Sequence, residues 1–512
     1  MAILGSLIKR AITFRGRIPQ RRSTYKRQVR ELRRLLLKSQ NTAFGQEYKF
    51  DKLLLEADPI KAYQQTVPIF DYQTMYDKWW NRALNGETYI CWPGKIKYFA
   101  LSSGTSESAS KYIPVTREMI KSIQRGTLKQ ILSTVHYKLP KEIYEKRILM
   151  VGGSTNLNYN GKYYSGDLSG ITTGTQPKWF QNFTLPGKKI RSKSNWEDKL
   201  HDIVVNAKSW DVGFICGVPA WIQILFERII EYYKVKTIHD IWPNLRIFVH
   251  GGVAVMPYKK GLEKLTAFPL IYCDTYMASE GFFAYQERPN ELQAMKLMYD
   301  NKVFFEFIAF NERNFDADGN LNQNHTALTI GEVELDKDYA IIITNCAGAW
   351  RYILGDTVKF TDLRRCEILV TGRIKHFLSM CGEHLSVDNM TRAVKLSADD
   401  LGIEINEFCV TGIHYENLFA HHWYVGVNKM ADEKVLKEKI DAHLKELNDD
   451  YKVERTAALK EIIVTVLPDD VFIDFLATKN KLGSQNKFPR VLKGKIQDEW
   501  LTFLETNKKY CS

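Results

Sequence analysis

Short apolar runs that stop at glycine recur through the first two thirds of this 512-residue chain. Residues 147–151 read as a buried strand ending in Gly152-Gly153-Ser154. Residues 211–216 form a second run, broken by Gly217 and Pro219, that leads into an apolar helical stretch over 221–233. Residues 245–249 end in His250-Gly251-Gly252, and residues 270–276 end in Met277-Ala278-Ser279-Glu280-Gly281. Helical spacing lies between and before these runs. Val29, Leu32, Leu35 and Leu36 share one face over 27–37, and 117–135 predicts another helix. Asp58 before Pro59 supplies an N-cap and a pre-set first turn for a third. Residues 164–174, with three glycines and several hydroxyls, predict a pocket-lining or surface loop. Strands alternating with helices and stopping at Gly-rich turns predict an α/β fold, with ligands gathered at the carboxyl ends of the strands.

The pattern then changes twice. Residues 303–307, 331–335 and 339–344 alternate or run apolar with turn-rich segments between, which predicts antiparallel strands. Beyond Gly372-Arg373 the order becomes helix (385–401), strand (407–414), strand (422–428), charged helix (432–447), strand (461–467), polar loop (478–490) and final helix (491–504). The expected organisation is a large N-terminal domain over 1–371, with mixed sheets, flanking helices and a small β-rich part. A hinge over 372–384 and a smaller α+β domain over 385–512 follow.

Charge and composition narrow the function. Twelve of the 72 Lys and Arg residues, but only one of the 59 acids, fall in the first forty positions. The remainder, 60 basic against 58 acidic, is nearly neutral and lacks the broad basic face of a nucleic-acid binder. The basic N-terminus reads either as a solvated helix packed by its apolar side or as a dock for anionic surfaces. No apolar run is long enough to span a bilayer, and no secretory signal is evident. The eight cysteines are scattered without Cys-x-x-Cys spacing, so neither a zinc site nor a redox motif is indicated. Reduced thiols in a cytoplasmic protein are the expectation.

Four stretches carry candidate chemistry. Ser102-Ser103-Gly104-Thr105-Ser106, followed by Lys111, places hydroxyls and amides around a turn, as a phosphate nest requires. It lacks the Gly-Lys-Ser/Thr of a Walker loop, and a plain solvated turn is the alternative. Glu280 after Tyr276 and Ser279 is either a cap or a ligand for magnesium beside a nucleotide, with Tyr276 stacked on the base. Asp356, in Trp350-Arg351-Tyr352-Ile353-Leu354-Gly355-Asp356, either caps a turn or accepts two ribose hydroxyls, leaving Arg351 for phosphate or carboxylate. Gly372-Arg373-Ile374-Lys375 with Gly382-Glu383-His384 is either a linker or a hinge whose basic residues meet the nucleotide.

Taken together, these stretches resemble the auxin-responsive acyl acid amido synthetases, the Gretchen Hagen 3 family of acyl-adenylate-forming enzymes. The 102–114 stretch is similar to that family's nucleotide loop. Tyr276-Met277-Ala278-Ser279-Glu280 is similar to its Tyr-x-Ser-Ser-Glu motif, and 350–356 to its Tyr-Arg-Tyr-Arg-Val-Gly-Asp motif. Lys487-Phe488-Pro489-Arg490 matches its C-terminal Lys-x-Pro-Arg. Ala278, Trp350 and Ile353 depart from the pattern, which puts pocket shape in question more than nucleotide chemistry.

The resemblance implies ATP and Mg²⁺ as cofactors and a carboxylic acid and an amino acid as substrates. The acid is first adenylated, and the acyl group then passes to the amine. It implies that Ser102, Ser103, Gly104, Thr105, Ser106 and Lys111 cradle phosphate and that Glu280 binds the metal. Gly251 and Gly252 floor the site, Tyr276, Ser279 and Asp356 hold the nucleoside, and Arg373 sits at the hinge of a swinging C-terminal domain. Lys487 and Lys495 compete as catalytic lysine. Lys487 fits the amido-synthetase pattern; Lys495 fits the Pro-x-x-x-x-Gly-Lys-Ile of the wider group, or is an exposed helix residue. Leu168, Thr173, Val218 and Trp221 are the candidate acyl-pocket residues, and Trp221 serves equally as core. Two alternatives stand beside this reading. One is an acyl-CoA ligase with a thiol acceptor; the other is a non-catalytic protein docking anionic surfaces through its N-terminus.

Overall fold

The computed structural model describes residues 23–102, 111–252, 255–311, 313–316, 319–374, 377–378, 380–381, 383, 385–427, 431–478 and 488–507. The described chain divides between Ile374 and Lys375 into two units, each with its own core.

The first unit opens with helices α1 (Thr24–Ser39) and α2 (Pro59–Thr66). Helix α1 buries Leu32, Leu35 and Leu36, together with Gln28 and Glu31, and exposes Lys26, Arg30, Arg34 and Lys38, so the basic segment from residue 24 onward is an amphipathic packing helix. Asp58 caps α2, accepting from the N–H groups of Ile60 and Lys61. Strands β1 (Tyr98–Ser102) and β2 (Lys111–Val115) pair antiparallel, with Ser102 directly opposite Lys111. Helix α3 (Arg117–Ser133) then leads to the main sheet of twelve strands.

One half of that sheet is parallel: β3 (Arg147–Met150), β4 (Val212–Gly217), β5 (Ile247–Gly251) and β6 (Ile271–Ala278). Helices α4 (Leu168–Gly174), α5 (Trp196–Asn206) and α6 (Pro219–Tyr233) are inserted between these strands. At β6 the sheet switches. A two-residue turn, Ser279-Glu280, reverses the chain into β7 (Gly281–Tyr285), which pairs antiparallel with β6. The other half is antiparallel throughout: β8 (Val303–Ala309), β9 (Asp338–Asn345), β10 (Tyr352–Asp362) and β11 (Glu367–Arg373). Strands β7, β8 and β9 are buried on both faces, which explains their apolar runs, interrupted in β8 by the buried Glu306.

Three local expectations are corrected. Residues 168–174 are helical, because their glycines serve packing: a Cβ on Gly170 would lie 2.0 Å from the Ser154 carbonyl oxygen. Residues 331–335 are not a strand. The Glu332 carboxylate accepts from both the N–H and the hydroxyl of Thr329, closing a turn, and only Leu335 bridges to Phe360. The last helix begins at Lys495, not at 491.

The second unit packs helices α7 (Val387–Leu401) and α8 (Glu433–Leu447) with a sheet ordered β12 (Ile405–Tyr415), β13 (Leu418–Val427), β14 (Leu459–Pro468). A missed helix, Asp470–Thr478, and the final helix α9 (Lys495–Thr506) contribute Phe472, Phe475 and Trp500 to its core. Glu383 and His421 form a fully buried pair, 2.8 Å apart. No described helix is long and apolar enough to cross a membrane, and the seven described cysteines are free.

Candidate nucleotide site

Strand β10 carries a bulge. Ile342 pairs with Ile353 and Ala340 with Thr357, so three residues of β10 oppose one of β9. Gly355 takes φ +88° within the bulge, a conformation that other residues reach only with strain. The irregularity re-aims Asp356, whose carboxylate accepts from the Tyr276 hydroxyl at 2.6 Å and from Arg373 Nε at 2.8 Å. Burial, and next the Asp356 charge, push the Tyr276 phenol well above its usual range, so it stays a donor.

Glu280 sits at the tip of the β6–β7 turn. Asn345 Nδ2 donates to its carbonyl at 2.8 Å, and the Tyr352 hydroxyl lies close to its carboxylate. Burial raises its pKa above the ordinary carboxylate value, and the nearby Lys111 charge opposes that rise. Lys111 itself lies over the Tyr72 ring, 5.2 Å from the centroid. Residues from four distant segments therefore meet in one cluster: Lys111, then Tyr276 with Glu280, then Tyr352 with Asp356, then Arg373.

Along the parallel strands the ends line up in a row. Gly152 follows β3, Val218 follows β4 and Gly252 follows β5. Val218 approaches Gly252, with a methyl 3.9 Å from where a Cβ would stand. Leu168 is buried and Thr173 half-buried on α4. Trp221, in the first turn of α6, is buried against Trp196, with ring centroids 4.1 Å apart. Ser279 is half-buried in the β6–β7 turn, and Ser102 is half-buried at the end of β1. Ser103, Gly104, Thr105, Ser106 and Lys487 lie outside the described residues.

Two sequence expectations change on this geometry. Arg351 does not present a guanidinium for phosphate. It is buried, its Nε and Nη2 bind Glu306 at 3.0–3.2 Å, and its Nη1 donates to the carbonyls of Gln64 and Val67. Tyr276 does not offer an open face for stacking: its ring is buried beside Phe283 and its hydroxyl is committed to Asp356. The Trp350 departure also falls away from the pocket. Its ring packs with Phe44 and Phe50 in the core, and its Nε1 donates to the Cys91 carbonyl. The Lys495 side chain is 91 % exposed at the start of α9. Sequence reasoning missed Tyr352 and Tyr72. The first lay inside a quoted motif; nothing local marked the second.

These features define an acyl-adenylate-forming fold. It is shared with a solved GH3.15 acyl acid amido synthetase (TM-score 0.57, 17% identity, 94% of this chain and 93% of that one). It is shared equally with a 2-hydroxyisobutyryl-CoA ligase solved with 2-HIB-AMP and CoA (TM-score 0.57, 11% identity, 96% and 97%). Within that class the chain belongs to the GH3 family. Residues 20–157, 296–367 and 388–495 match the GH3 family N-terminal, central and C-terminal domains. Jasmonoyl–L-amino acid synthetase JAR4 of Nicotiana attenuata is 30% identical over 509 residues, covering 84% of this chain and 85% of the relative. JAR6 of the same plant is 23% identical over 368 residues, 59% of this chain and 61% of the relative. Indole-3-acetic acid-amido synthetase GH3.2 of Arabidopsis thaliana is 31% identical over 132 residues, 24% and 23%.

Proposed function

We propose that this protein uses ATP to adenylate a carboxylic acid and then transfers the acyl group to the amine of an amino acid. The observation that carries the reading is the convergence of Tyr276, Glu280, Asp356 and Arg373 at one end of a sheet, in a chain of the GH3 family. A carboxylate is inert toward amines at neutral pH, so conversion to an acyl phosphate anhydride supplies the leaving group. The first step releases pyrophosphate and the second releases AMP. The protein's contribution is positioning and charge stabilisation.

Asp356 receives the ribose hydroxyls, with Tyr276 and Arg373 fixing its carboxylate. Gly251 and Gly252 floor the nucleoside, and Ser102 and Lys111 line the phosphates. The single carboxylate of Glu280 suits Mg²⁺, which takes one or two protein carboxylates and fills its shell with phosphate oxygens and water. Bound there, the ion would neutralise triphosphate charge and favour the ionised form of Glu280. Leu168, Thr173 and Val218 face the acyl acid, with Trp221 behind them. The catalytic lysine is Lys487 in preference to Lys495.

The test is incubation with ATP, Mg²⁺, a panel of carboxylic acids and hydroxylamine, reading hydroxamate and pyrophosphate. Acid-dependent formation of both supports the proposal. ATP turnover without any acid dependence overturns it. Repeating productive acids with amino acids or with CoA names the acceptor, and a thioester product would favour the CoA-ligase alternative. Lys487→Ala and Lys495→Ala, compared in each half-reaction, assign the lysine.

A further inference from the structure

Two cations are buried next to the turn after β3. Lys199 on α5 is 3 % exposed and Arg191 is 9 % exposed. Lys199 Nζ donates to one acceptor, the Gly152 carbonyl at 3.0 Å, and otherwise lies over the Trp196 ring. Arg191 donates through Nη2 to the Thr184 hydroxyl at 2.6 Å, while its Nε has no hydrogen-bond partner. The buried Trp196 Nε1 has none either. Among the described residues no carboxylate oxygen comes within 4 Å of either cation; the charge of Asp167 reaches Lys199 only through a longer distance. Burial lowers the pKa of both groups.

A buried lysine or arginine with no carboxylate in contact is rare, because no ion pair offsets the desolvation of its charge. An ammonium has three donors and a guanidinium five, so most of this donor capacity is unspent. Lys199 Nζ meets the 152–155 segment at the Gly152 carbonyl; Arg191 meets it only through its backbone, whose carbonyl accepts from the Thr155 N–H, while its guanidinium is at Thr184. That segment ends β3, beside β4, whose end carries Val218. Trp196, under Lys199, is the residue packed on Trp221.

We propose that Lys199 is the counter-ion for a substrate carboxylate that is not the one adenylated. The proposal rests on the amido-synthetase reading. Two sources share this chemistry: the carboxylate of the acceptor amino acid and a second carboxylate on the acyl acid.

The experiment uses full-length Lys199→Gln, which keeps a donor for Gly152 and removes the charge, and Lys199→Arg, which restores the charge. Hydroxylamine trapping with a monocarboxylic acid involves neither source, so it should run equally in wild type and both variants. Failure in the wild type with both monocarboxylic and dicarboxylic acids sinks the amido-synthetase reading; failure with a monocarboxylic acid only in the variants, with unchanged thermal unfolding, makes Lys199 part of adenylation and overturns this proposal. In the first arm an amino acid is compared with its carboxamide as acceptor. In the second a dicarboxylic acid is compared with its monoamide in pyrophosphate release. Loss of a charge-assisted hydrogen bond predicts a KM for the carboxylate form raised about tenfold or more in Lys199→Gln, with the amide form unmoved and Lys199→Arg near wild type. The arm that responds names the source. Independently of turnover, the carboxylate ligand should raise the wild-type melting temperature and lose that effect in Lys199→Gln. No discrimination in either arm and no change in ligand-induced melting would show that Lys199 serves the fold alone.

Discussion

Arg351 offers a sharp test of how this site is built. It lies in a motif read as nucleotide-binding, yet its guanidinium is spent inside the protein. Replacing it with methionine keeps the stem volume and removes every donor; glycine would confound the result, because Arg351 has φ +42° and glycine would relieve that strain. Glu306, fully buried, would then keep Gln64 Nε2 at 3.0 Å as its remaining side-chain donor, and the Gln64 and Val67 carbonyls would each lose theirs. Removing one partner of a buried ion pair costs about 3–5 kcal/mol, mostly through the stranded charge. Arg351→Met should therefore shift the urea midpoint of the first unit by an amount equivalent to about 4 kcal/mol at unchanged slope. Arg351→Met combined with Glu306→Leu should recover much of that loss, since an apolar pair strands no charge. ATP affinity of the folded single variant, measured by titration, should stay close to wild type. A variant of normal stability that binds ATP a hundredfold more weakly would refute the reasoning and return Arg351 to the phosphates.

Tyr276→Phe removes the donor that orients Asp356, and a hydrogen bond to a charged acceptor is worth about 1.5–3 kcal/mol. ATP binding should weaken roughly tenfold or more with circular dichroism unchanged; equal affinity would mean that Arg373 alone positions the carboxylate. Gly251→Ala would place a methyl 2.5 Å from the Thr275 carbonyl oxygen of the neighbouring strand, so chemical unfolding should report a loss of about 1–3 kcal/mol. In the second unit, burial acts to raise the Glu383 pKa, but hydrogen bonds from His421, Cys381 N and Met380 N together outweigh it and lower the value from 4.5 to about 2. A depressed folded-state value stabilises above the unfolded one, so this contribution is complete above about pH 4.5 and fades as the pH falls toward 2. His421→Ala should flatten that part of the stability profile, and an unchanged acid slope would show that the pair does not control it.

The strand ends were legible because a short apolar run needs a sharp exit, and glycine supplies it without steric cost. Gly152, Gly217, Gly251 and the 279–281 turn all fall where the pattern placed them. The partners were not legible. Nothing near Arg351 points to Glu306, and nothing near Asp356 reveals a bulge that depends on pairing with β9. Residues 164–174 failed for a related reason: glycine marks flexibility in a local reading, but Gly170 answers to the backbone of Ser154, which only the tertiary fold brings close. Lys199 has the sequence neighbours of an ordinary solvated helix charge, and only the packing of α5 buries it.

The switch of strand direction at Ser279-Glu280 separates two kinds of connection. Before it, every neighbouring pair of parallel strands is joined by a helical crossover, and such crossovers tolerate insertion, deletion and repacking. After it, β6–β7 and β10–β11 are joined by turns of a few residues whose length sets the register of the groups around Asp356. On the assignments proposed above, the acyl-pocket residues of α4 and α6 lie on these crossovers, whereas the groups around Asp356 depend on the short turns. A directed-evolution library confined to α4, α5 and the start of α6 should change which molecules are joined without eroding the energy source that joins them.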